Sequence, residues 1–310
     1  MQIDSCLILS AGHGTRMGPI GEVLPKPLWP IFESTILELQ INYAREMGVK
    51  KIFVNGFHQA KRIKDYLDKN KLTDIIFLHE QELLGVGGAV HNVKNYLDSN
   101  KLRGINNNLL ILNGDQFLFP TIEQIKLAET LLIDSVAVLF SVSVSKLSLY
   151  NKLFISNNRL VDIKQNDLDQ SFFTYSGQSI INLNLLDKHA GYSNFFDTVA
   201  NYKSKNIGVV NVEGVDYWDF GTIQRYFESC FKLLRDNSSE LFKFCRKYNA
   251  FASSKFISDC SYGTINKKVI NLTSSKLPNE STEGIILLQG PLVEMERPGV
   301  CFDNIVSYLE

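Results

Sequence analysis

The sequence predicts an α/β fold, built on a mainly parallel sheet that helices cover on both faces. Its first half alternates short apolar segments with amphipathic ones, which is the pattern of repeated strand–helix units. The strand candidates, such as residues 109–112, are apolar throughout, as strands buried on both faces are. After residue 236 the apolar segments become short and are separated by Gly, Pro, Asn and Ser, which predicts a small β-rich appendage.

Helices are predicted where apolar residues recur three and four positions apart, as in the segment that stops at Gly48. The helices predicted in this way are 35–47, 60–69, 87–97, 121–130, 195–203, 223–234 and 240–248. The predicted strands are 6–10, 51–56, 74–79, 109–112, 135–141, 176–183, 207–212 and 284–288, together with a hairpin of 153–155 and 159–163. The polar residues 236–239 mark a boundary between a domain of residues 1–236 and an appendage of residues 237–310.

The composition excludes several function classes. The 310 residues carry 32 basic and 33 acidic side chains, so the chain lacks the excess of positive charge that nucleic-acid binding requires. Residues 1–5 lack the pattern of a signal peptide, and the apolar run at 6–9 is too short to cross a membrane. The cysteines are odd in number and form no Cys-x-x-Cys pair, which predicts reduced thiols in a cytoplasmic protein: Cys6, Cys230, Cys245, Cys260 and Cys301.

The strongest functional signal is residues 9–28, which begin Leu-Ser-Ala-Gly-His-Gly-Thr-Arg-Met and end Leu-Pro-Lys-Pro-Leu. Gly12 and Gly14 follow a predicted strand, and glycines let backbone N–H groups approach a polyphosphate closely. Arg16 has the planar donor fork that grips phosphate oxygens, and Lys26 adds a second positive charge on a loop stiffened by two prolines. The segment therefore predicts a phosphate-binding site.

Two familiar glycine motifs do not fit this segment. A dinucleotide-binding fingerprint needs a third glycine where Met17 stands, which disfavours a dinucleotide-dependent oxidoreductase. A phosphate-loop NTPase needs Gly-Lys-Ser/Thr, whereas Lys26 follows a proline.

One aspartate is a candidate metal ligand by its position after a strand, and a second lies in a distinctive segment. Asp115 follows an apolar strand directly, and Mg²⁺ in proteins favours one or two carboxylates together with phosphate oxygens and water. Asp219 lies in Tyr-Trp-Asp-Phe-Gly-Thr before a predicted helix, where the bland interpretation is a turn or a helix cap made by Thr222.

At this point the sequence resembles the sugar-phosphate nucleotidyltransferase family over residues 1–234. The family opens with A-G-x-G-T-R-[ML]-x-P, continues to P-K-P-[LM], and carries G-D and W-x-D-[VI]-G-[TS] where Asp115 and Asp219 stand. Gly21 departs from the pattern, because many members have threonine there. The resemblance implies a Rossmann-like fold of the nucleotide-diphospho-sugar transferase type. It also implies that Asp115 and Asp219 hold Mg²⁺, with Arg16, Lys26 and Asp115 as the catalytic residues.

Further segments extend the resemblance to the rest of the site. Residues 82–89 are similar to the family's E-x-x-L-G-T-A-G-A loop, which lies against the nucleobase, and residues 174–182 are similar to the strand that lines its sugar pocket. Phe-Thr-Tyr-Ser-Gly and the Asp219 segment together look most like N-acetylmuramate 1-phosphate uridylyltransferases. The implied nucleotide-binding residues are Ala11, Gly12, His13, Gly14, Thr15, Glu82, Gly87, Gly88 and Asn113, and the implied sugar-binding residues are Gly177, Asn182 and Lys164, the last in place of the lysine of an E-K-P segment.

The expected function is Mg²⁺-dependent transfer of a nucleotidyl group from a nucleoside triphosphate to a sugar 1-phosphate. Two alternatives stay open: a cytidylyltransferase that acts on phosphocholine, and a non-catalytic relative that binds nucleotide sugars as a regulator. The expected partners are these two substrates, with no nucleic acid and no membrane. The apolar strand at 284–288 suggests a homodimer through the appendage. The base and the sugar are left open.

Overall fold

The computed structural model describes residues 3–309 apart from 103–106, 146–149, 166–169, 215, 252–268, 274–283, 292, 294 and 296. The strands are β1 (Ser5–Leu9), β2 (Pro30–Ile31), β3 (Ser34–Thr35), β4 (Lys51–Gly56), β5 (Ile75–His79), β6 (Asn108–Asn113), β7 (Gln116–Leu118), β8 (Ala137–Val144), β9 (Asn151–Ser156), β10 (Arg159–Gln165), β11 (Phe172–Asn182), β12 (Ile207–Val212), β13 (Tyr217–Asp219), β14 (Val269–Asn271), β15 (Ile285–Gln289), β16 (Gly299–Phe302) and β17 (Ile305–Tyr308). The helices are α1 (Pro19–Val23), α2 (Ile36–Glu46), α3 (Ala60–Lys69), α4 (Gly85–Ser99), α5 (Ile122–Leu132), α6 (Phe195–Thr198), α7 (Ile223–Arg235) and α8 (Glu240–Lys247).

A nine-stranded sheet forms the centre of the molecule, with the strand order β5-β4-β1-β6-β11-β8-β12-β10-β9. Strands β5, β4, β1 and β6 are parallel to one another, and β8 and β12 form a second parallel pair. Only β11 and β10 run against the other described strands of this sheet. The predicted α/β class with a mainly parallel sheet is therefore confirmed, and the antiparallel strands enter in the second half of the chain.

Apolar side chains are buried on both faces of this sheet. In β1, Cys6 and Ile8 pack into a core that α2, α5 and α7 share, while Leu7 packs into a second core under α4. This arrangement explains why the strands are apolar throughout instead of alternating with polar residues.

Side-chain caps fix where several helices begin. Thr121 and Gln124 form a reciprocal capping box at the start of α5, in which each side chain bonds the other residue's backbone N–H. Thr222 accepts a hydrogen bond from Arg225 N at 3.2 Å and so starts α7 directly after Asp219.

The helix predicted at 195–203 is wrong in length, because α6 ends at Thr198. The side chain of Asn201 donates to the backbone oxygen of Asp197 at 3.0 Å and accepts from Lys203 N at 3.3 Å. An asparagine that bonds the backbone in this way competes with the helical hydrogen bonds.

The C-terminal sheet, made of β14 to β17, forms the predicted β-rich appendage. Its first three strands are parallel and β17 is antiparallel to β16. Ile286 and Val300 of this sheet belong to the same apolar core as Met17 and Tyr226, so the core is continuous across residue 236. The division into two domains and the homodimer through this sheet stay predictions.

The described cysteines Cys6, Cys230, Cys245 and Cys301 are buried and unpaired, while Cys260 lies outside the described residues. Burial raises the pKa of the Cys6 thiol well above its usual value and that of Cys230 to about 12, so both thiols are protonated and unreactive at neutral pH. In the described part of the chain, no helix has the length and apolar character to span a bilayer.

His91 of α4 makes the stability of the fold depend on pH. The side chain is buried 5.2 Å from the ring of His189, and burial, His189 and Lys94 together lower its pKa from 6.5 to about 4. The unfolded chain takes up a proton at this histidine near pH 6.5 while the folded chain does not, so stability is lost as the pH falls from 6.5 towards 4.

We expect chemical denaturation to show a smaller loss of stability between pH 7 and pH 5 for His91→Gln than for the wild type. His79→Gln, at an exposed position, serves as the control and should keep the wild-type dependence. An identical loss of stability in His91→Gln and the wild type would show that His91 is not the group responsible for this pH dependence.

Candidate active site

The topology brings the two candidate aspartates to one place. Strands β1 and β6 are parallel neighbours, so the glycine loop (residues 11–18) and Asp115 both emerge at the same edge of the sheet. Strand β13 pairs with β7 and sets Asp219 opposite Gln116, the residue after Asp115. Residues 104 positions apart in the chain therefore become neighbours, and Asp115 and Asp219 are called the acid pair below.

Gly221 separates the two carboxylates. A Cβ atom at this glycine would lie 2.8 Å from Asp219 Oδ1 and 2.9 Å from Asp115 Oδ2. The backbone adds to the arrangement, because Gly221 N donates to Asp219 Oδ1 at 2.6 Å and Phe220 N donates to the Asp115 carbonyl oxygen at 2.8 Å. The two carboxylates of the acid pair therefore lie so close to Gly221 that a side chain at this residue would not fit.

Lys26 forms an ion pair with Asp115. Its loop contains a short 3₁₀ turn over Lys26–Leu28, in which Pro25 precedes and Pro27 follows the lysine. Both charged side chains are mostly buried, with exposed fractions of 17% for Lys26 and 12% for Asp115. An ion pair at this depth is screened less by water than a surface pair is.

Asp219 has several hydrogen-bond donors around it. Arg225 Nη1 lies 2.9 Å from its Oδ2 atom, Gln116 Nε2 donates to the same oxygen at 3.1 Å, and Tyr150 donates to it through its hydroxyl. The Arg225 guanidinium also lies over the Tyr150 ring, 4.7 Å from its centroid. Burial and the Asp219 carboxylate raise the pKa of Tyr150 above its usual value, so this hydroxyl is protonated and acts as a donor.

The glycine loop is held in shape by two left-handed residues. Gly14 has φ 71° and Gly18 has φ 64°, and the 3₁₀ turn Thr15–Met17 lies between them. A Cβ at Gly21 would lie 2.3 Å from the Gly14 carbonyl oxygen. This contact explains why glycine stands where many family members have threonine, since any side chain here requires the loop to move.

A cavity of about 290 Å³ lies between these elements. Three basic and three acidic side chains line it, together with backbone of the glycine loop: Arg16, Lys26, Arg225, Glu80, Asp115 and Asp219. Such a wall suits a ligand that carries several negative charges and is accompanied by a cation.

The structure brings most of the predicted phosphate and metal residues to this cavity. Its lining includes Ala11, Gly12, Arg16, Lys26, Asn113, Asp115 and Asp219. His13, Gly14 and Thr15 belong to the same loop but are not among the lining residues, and the His13 ring stacks on His58 at 5.6 Å.

The segment predicted to contact the nucleobase reaches the cavity through residues other than Glu82, Gly87 and Gly88. Glu82 is exposed and does not line the cavity. Gly87 and Gly88 face the segment 191–194, because a Cβ at Gly87 would lie 2.5 Å from Asn194 O and one at Gly88 would lie 2.5 Å from Gly191 O. These glycines therefore allow close backbone packing, and the lining residues of this segment are Leu83, Gly85 and Val86.

A buried polar chain that no sequence motif indicated lies on this side of the cavity. Asn55 Oδ1 accepts from Ser10 N at 2.8 Å, Asn55 Nδ2 donates to Glu80 Oε1 at 2.7 Å, and Glu80 Oε2 accepts from Leu84 N at 3.1 Å. Asn55 and Glu80 both stand at the carboxyl ends of strands, which is the signal that would have found them.

The predicted sugar-binding residues are dispersed. Gly177, with φ 84°, lies against the Asn113 and Gln116 side chains at the edge of the cavity. Asn182 is paired with Asn108 at the start of β6, about 16 Å from the site at the usual rise per strand residue, because β11 is antiparallel to β6. Asn182 therefore lies apart from the cavity.

Lys164 is exposed on the β9–β10 hairpin, where it pairs with Asp162 at 2.9 Å, and it does not line the cavity. Arg225 and Tyr150, which the sequence did not single out, are the cation and the hydroxyl that reach the cavity near Asp219.

The acid pair fits a magnesium ion better than a metal held by protein alone. The described residues contain no group of three His, Cys, Asp or Glu side chains arranged around a common point. Mg²⁺ commonly takes only one or two carboxylates and completes its shell with phosphate oxygens and water. Asp115 Oδ2 and Asp219 Oδ1 both border the position beside Gly221, and these two carboxylates are the groups that would hold such an ion.

We expect Gly221→Ala to lower kcat about 100-fold, because displacement of catalytic groups by about 1 Å has effects of that size. The added Cβ would lie within 3 Å of both carboxylates and push them apart. Steady-state kinetics at several Mg²⁺ concentrations measure the effect. Gly208→Ala on β12, whose Cβ would meet Leu131 and Val138 at 3.1 Å, is the control for a tight contact away from the acid pair and should keep the wild-type rate. A normal kcat in Gly221→Ala would show that the acid pair does not act as a unit.

The first part of the chain is similar in sequence to known nucleotidyltransferases. Residues 5–142 match the family described as Nucleotidyl transferase. The chain is 31% identical over 125 residues to a D-glycero-alpha-D-manno-heptose 1-phosphate guanylyltransferase of Campylobacter jejuni, which is 40% of this chain and 53% of that protein. It is 37% identical over 119 residues to a bifunctional protein GlmU of Methanococcus maripaludis, which is 38% of this chain and 26% of that protein. The matches thus span about half of the first relative and about a quarter of the second.

Solved structures share the fold over most of the chain. HddC from Yersinia pseudotuberculosis, complexed with GMP-PN, superposes with a TM-score of 0.62 at 22% identity, covering 74% of this chain and 99% of its own. UDP-glucose pyrophosphorylase complexed with UDP-glucose has a TM-score of 0.58 at 16% identity, covering 76% and 100%. The predicted Rossmann-like fold is confirmed. Residues 5–142 thus match the Nucleotidyl transferase family in sequence, and the chain shares the fold of these solved structures.

Proposed function

We propose that the chain catalyses the Mg²⁺-dependent transfer of a nucleotidyl group from a nucleoside triphosphate to a sugar 1-phosphate, with release of pyrophosphate. The observation that carries the proposal is the position of the acid pair, which lies in one cavity with the glycine loop, Lys26 and Arg225. A cavity with these groups can accept two phosphorylated substrates and neutralise their charge.

The glycine loop and Arg16 are proposed to hold the triphosphate. The loop offers backbone N–H groups without side chains in the way, and Arg16 lines the same cavity. Asp115 and Asp219 would hold the Mg²⁺ ion, which supplies positive charge to the phosphate oxygens. Lys26 is now paired with Asp115, and its flexible stem lets the ammonium group turn to a phosphate oxygen nearby.

Arg225 and Tyr150 are proposed to serve the second substrate. They lie beside Asp219, whereas Arg16 belongs to the glycine loop, so each phosphorylated substrate has an arginine of its own. The guanidinium gives one of its N–H groups to Asp219 and has further donors for a phosphate monoester. Stacking on the Tyr150 ring fixes the plane of the guanidinium.

The chemistry needs no covalent intermediate with the protein. An oxygen of the sugar 1-phosphate attacks the α-phosphorus, the bond from the α-phosphorus to the bridging oxygen breaks, and pyrophosphate leaves with that electron pair. Because the nucleophile is already an anion, the protein has to position two anions and offset their charge, and no general base is required.

Pyrophosphate release tests the proposal. Each of the four common nucleoside triphosphates is incubated with a panel of sugar 1-phosphates and with phosphocholine, with and without Mg²⁺. Guanosine and uridine triphosphates come first, because the relatives include a guanylyltransferase and a UTP--glucose-1-phosphate uridylyltransferase of Synechocystis. We expect release that requires both Mg²⁺ and one sugar 1-phosphate. Release with phosphocholine alone, or nucleotide binding without turnover for any pair, would overturn the proposal.

A further inference from the structure

A serine near the C-terminus contacts the end of the glycine loop. Ser307 Oγ donates to the Met17 carbonyl oxygen at 2.9 Å and accepts from Ile20 N at 3.1 Å. Only 1% of Ser307 is exposed, so both hydrogen bonds are shielded from water. The contact joins residues about 290 positions apart, and it connects the C-terminal sheet to the proposed nucleotide site.

These two hydrogen bonds satisfy backbone groups that lack a partner in their own helix. Ile20 lies in the first turn of α1, where N–H groups have no acceptor within the helix. Gly18, the residue before α1, has no side chain that could cap it. Ser307, on strand β17, therefore provides the cap of α1 that the loop sequence itself does not contain.

Glycine at residue 18 allows β17 to approach this closely. A Cβ at Gly18 would lie 2.8 Å from Ser307 Oγ and 3.1 Å from Ser307 Cβ. On its other side β17 pairs with β16, with Val300 opposite Ser307, and Val300 packs in the same core as Ile223 at the start of α7. The hydroxyl is thus held by a sheet anchored to the body of the molecule.

We propose that Ser307 is a positioning residue for the nucleotide site. Through its hydroxyl, the C-terminal sheet holds residues 17–20 and thereby fixes Arg16 and the glycine loop in the conformation that receives a nucleoside triphosphate. The inference rests on the function proposed above. It gives the C-terminal sheet a role in the affinity for the nucleotide. The hydrogen bonds of Ser307 go to Met17 and Ile20, not to Asp219 or Arg225, beside which the sugar 1-phosphate is proposed to bind.

Steady-state kinetics of Ser307→Ala test the proposal. We expect KM for the nucleoside triphosphate to rise about tenfold, because two buried hydrogen bonds that order the loop are lost. KM for the sugar 1-phosphate should stay within about twofold, because buried hydrogen bonds act mainly on the groups they contact. Ser141→Ala is the matched control. Ser141 is also fully buried, and its hydroxyl donates to Asn211 Oδ1 at 2.7 Å. It lies on β8, far from the glycine loop in the sequence. It should lower thermal stability and leave both KM values unchanged.

A wild-type KM for the nucleotide in Ser307→Ala would overturn the proposal, and so would an equal rise in Ser141→Ala. If Ser307→Ala does not fold, Ser307→Cys tests the same contact, since the thiol keeps the shape of the side chain and weakens both hydrogen bonds. It should also raise KM for the nucleotide alone, and equal rises in both KM values would overturn the proposal.

Binding measurements separate a failure of this inference from a failure of the proposed function. If the wild type releases no pyrophosphate with any substrate pair, the proposed function fails. Calorimetric titration with each of the four nucleoside triphosphates then still compares Ser307→Ala with the wild type. About tenfold weaker binding in the variant supports the positioning role. Equal binding, or no binding by either protein, overturns it.

Discussion

Replacement of Asp115 by asparagine is expected to lower kcat by about 100- to 1,000-fold, the range found when one preorganised charge stabiliser is removed from an active site. Asparagine keeps the shape of the side chain and removes its charge, so the contacts around Gly221 are preserved. Steady-state kinetics at saturating substrate and several Mg²⁺ concentrations measure the effect.

Asp74→Asn is the matched control for this variant. Asp74 pairs with Arg45 at 2.8 Å, but its side chain is 58% exposed and it does not line the cavity. The control should keep the wild-type rate. An Asp115→Asn protein with a normal rate would mean that this carboxylate is not a metal ligand.

Replacement of Lys26 by methionine is expected to lower kcat about 100-fold and, at the same time, to strengthen Mg²⁺ binding a few-fold. The lower kcat follows from the loss of a positive charge that stabilises the two anionic substrates when they come together. Lys26 also pairs with Asp115 and so competes with a metal ion for that carboxylate, which accounts for the stronger Mg²⁺ binding. Methionine retains most of the apolar stem. Kinetics as a function of Mg²⁺ concentration report both quantities.

Lys61→Met is the control, because Lys61 is 86% exposed and pairs with Asp65 within its own helix. Neither kcat nor Mg²⁺ dependence should change in this protein. If Lys26→Met lost activity together with Mg²⁺ affinity, Lys26 would be supporting the metal site instead of competing with it.

The fold and the phosphate side of the site could be predicted because their signals are local. Strand β1, the glycine loop and Lys26 lie within 28 residues, and each has a residue pattern with a direct physical meaning. Asp115 follows an apolar strand, and the parallel order of β1 and β6 places it at the same edge. Asp219 was found only through the family segment, since its position depends on pairing between β13 and β7.

The remaining parts of the site depend on contacts that a linear pattern does not contain. Gly87 and Gly88 carry the expected glycine signal, but they serve packing against residues 191–194, which lie about a hundred positions later. Asn182 lies in the expected strand, but β11 is antiparallel to β6, so Asn182 lies beside the start of β6, at the end of the strands away from the cavity. Arg225 and Tyr150 carry no motif of their own and are brought to Asp219 by α7 and by the segment before β9.

The most direct test of the central claim follows the phosphorus atoms. The protein is incubated with Mg²⁺, a sugar 1-phosphate and a nucleoside triphosphate labelled either at the α-phosphorus or at the γ-phosphorus. Attack at the α-phosphorus predicts that the α label enters the nucleotide sugar and that the γ label leaves as pyrophosphate. Transfer of the γ label to the sugar phosphate, or its release as inorganic phosphate, would contradict nucleotidyl transfer at this site.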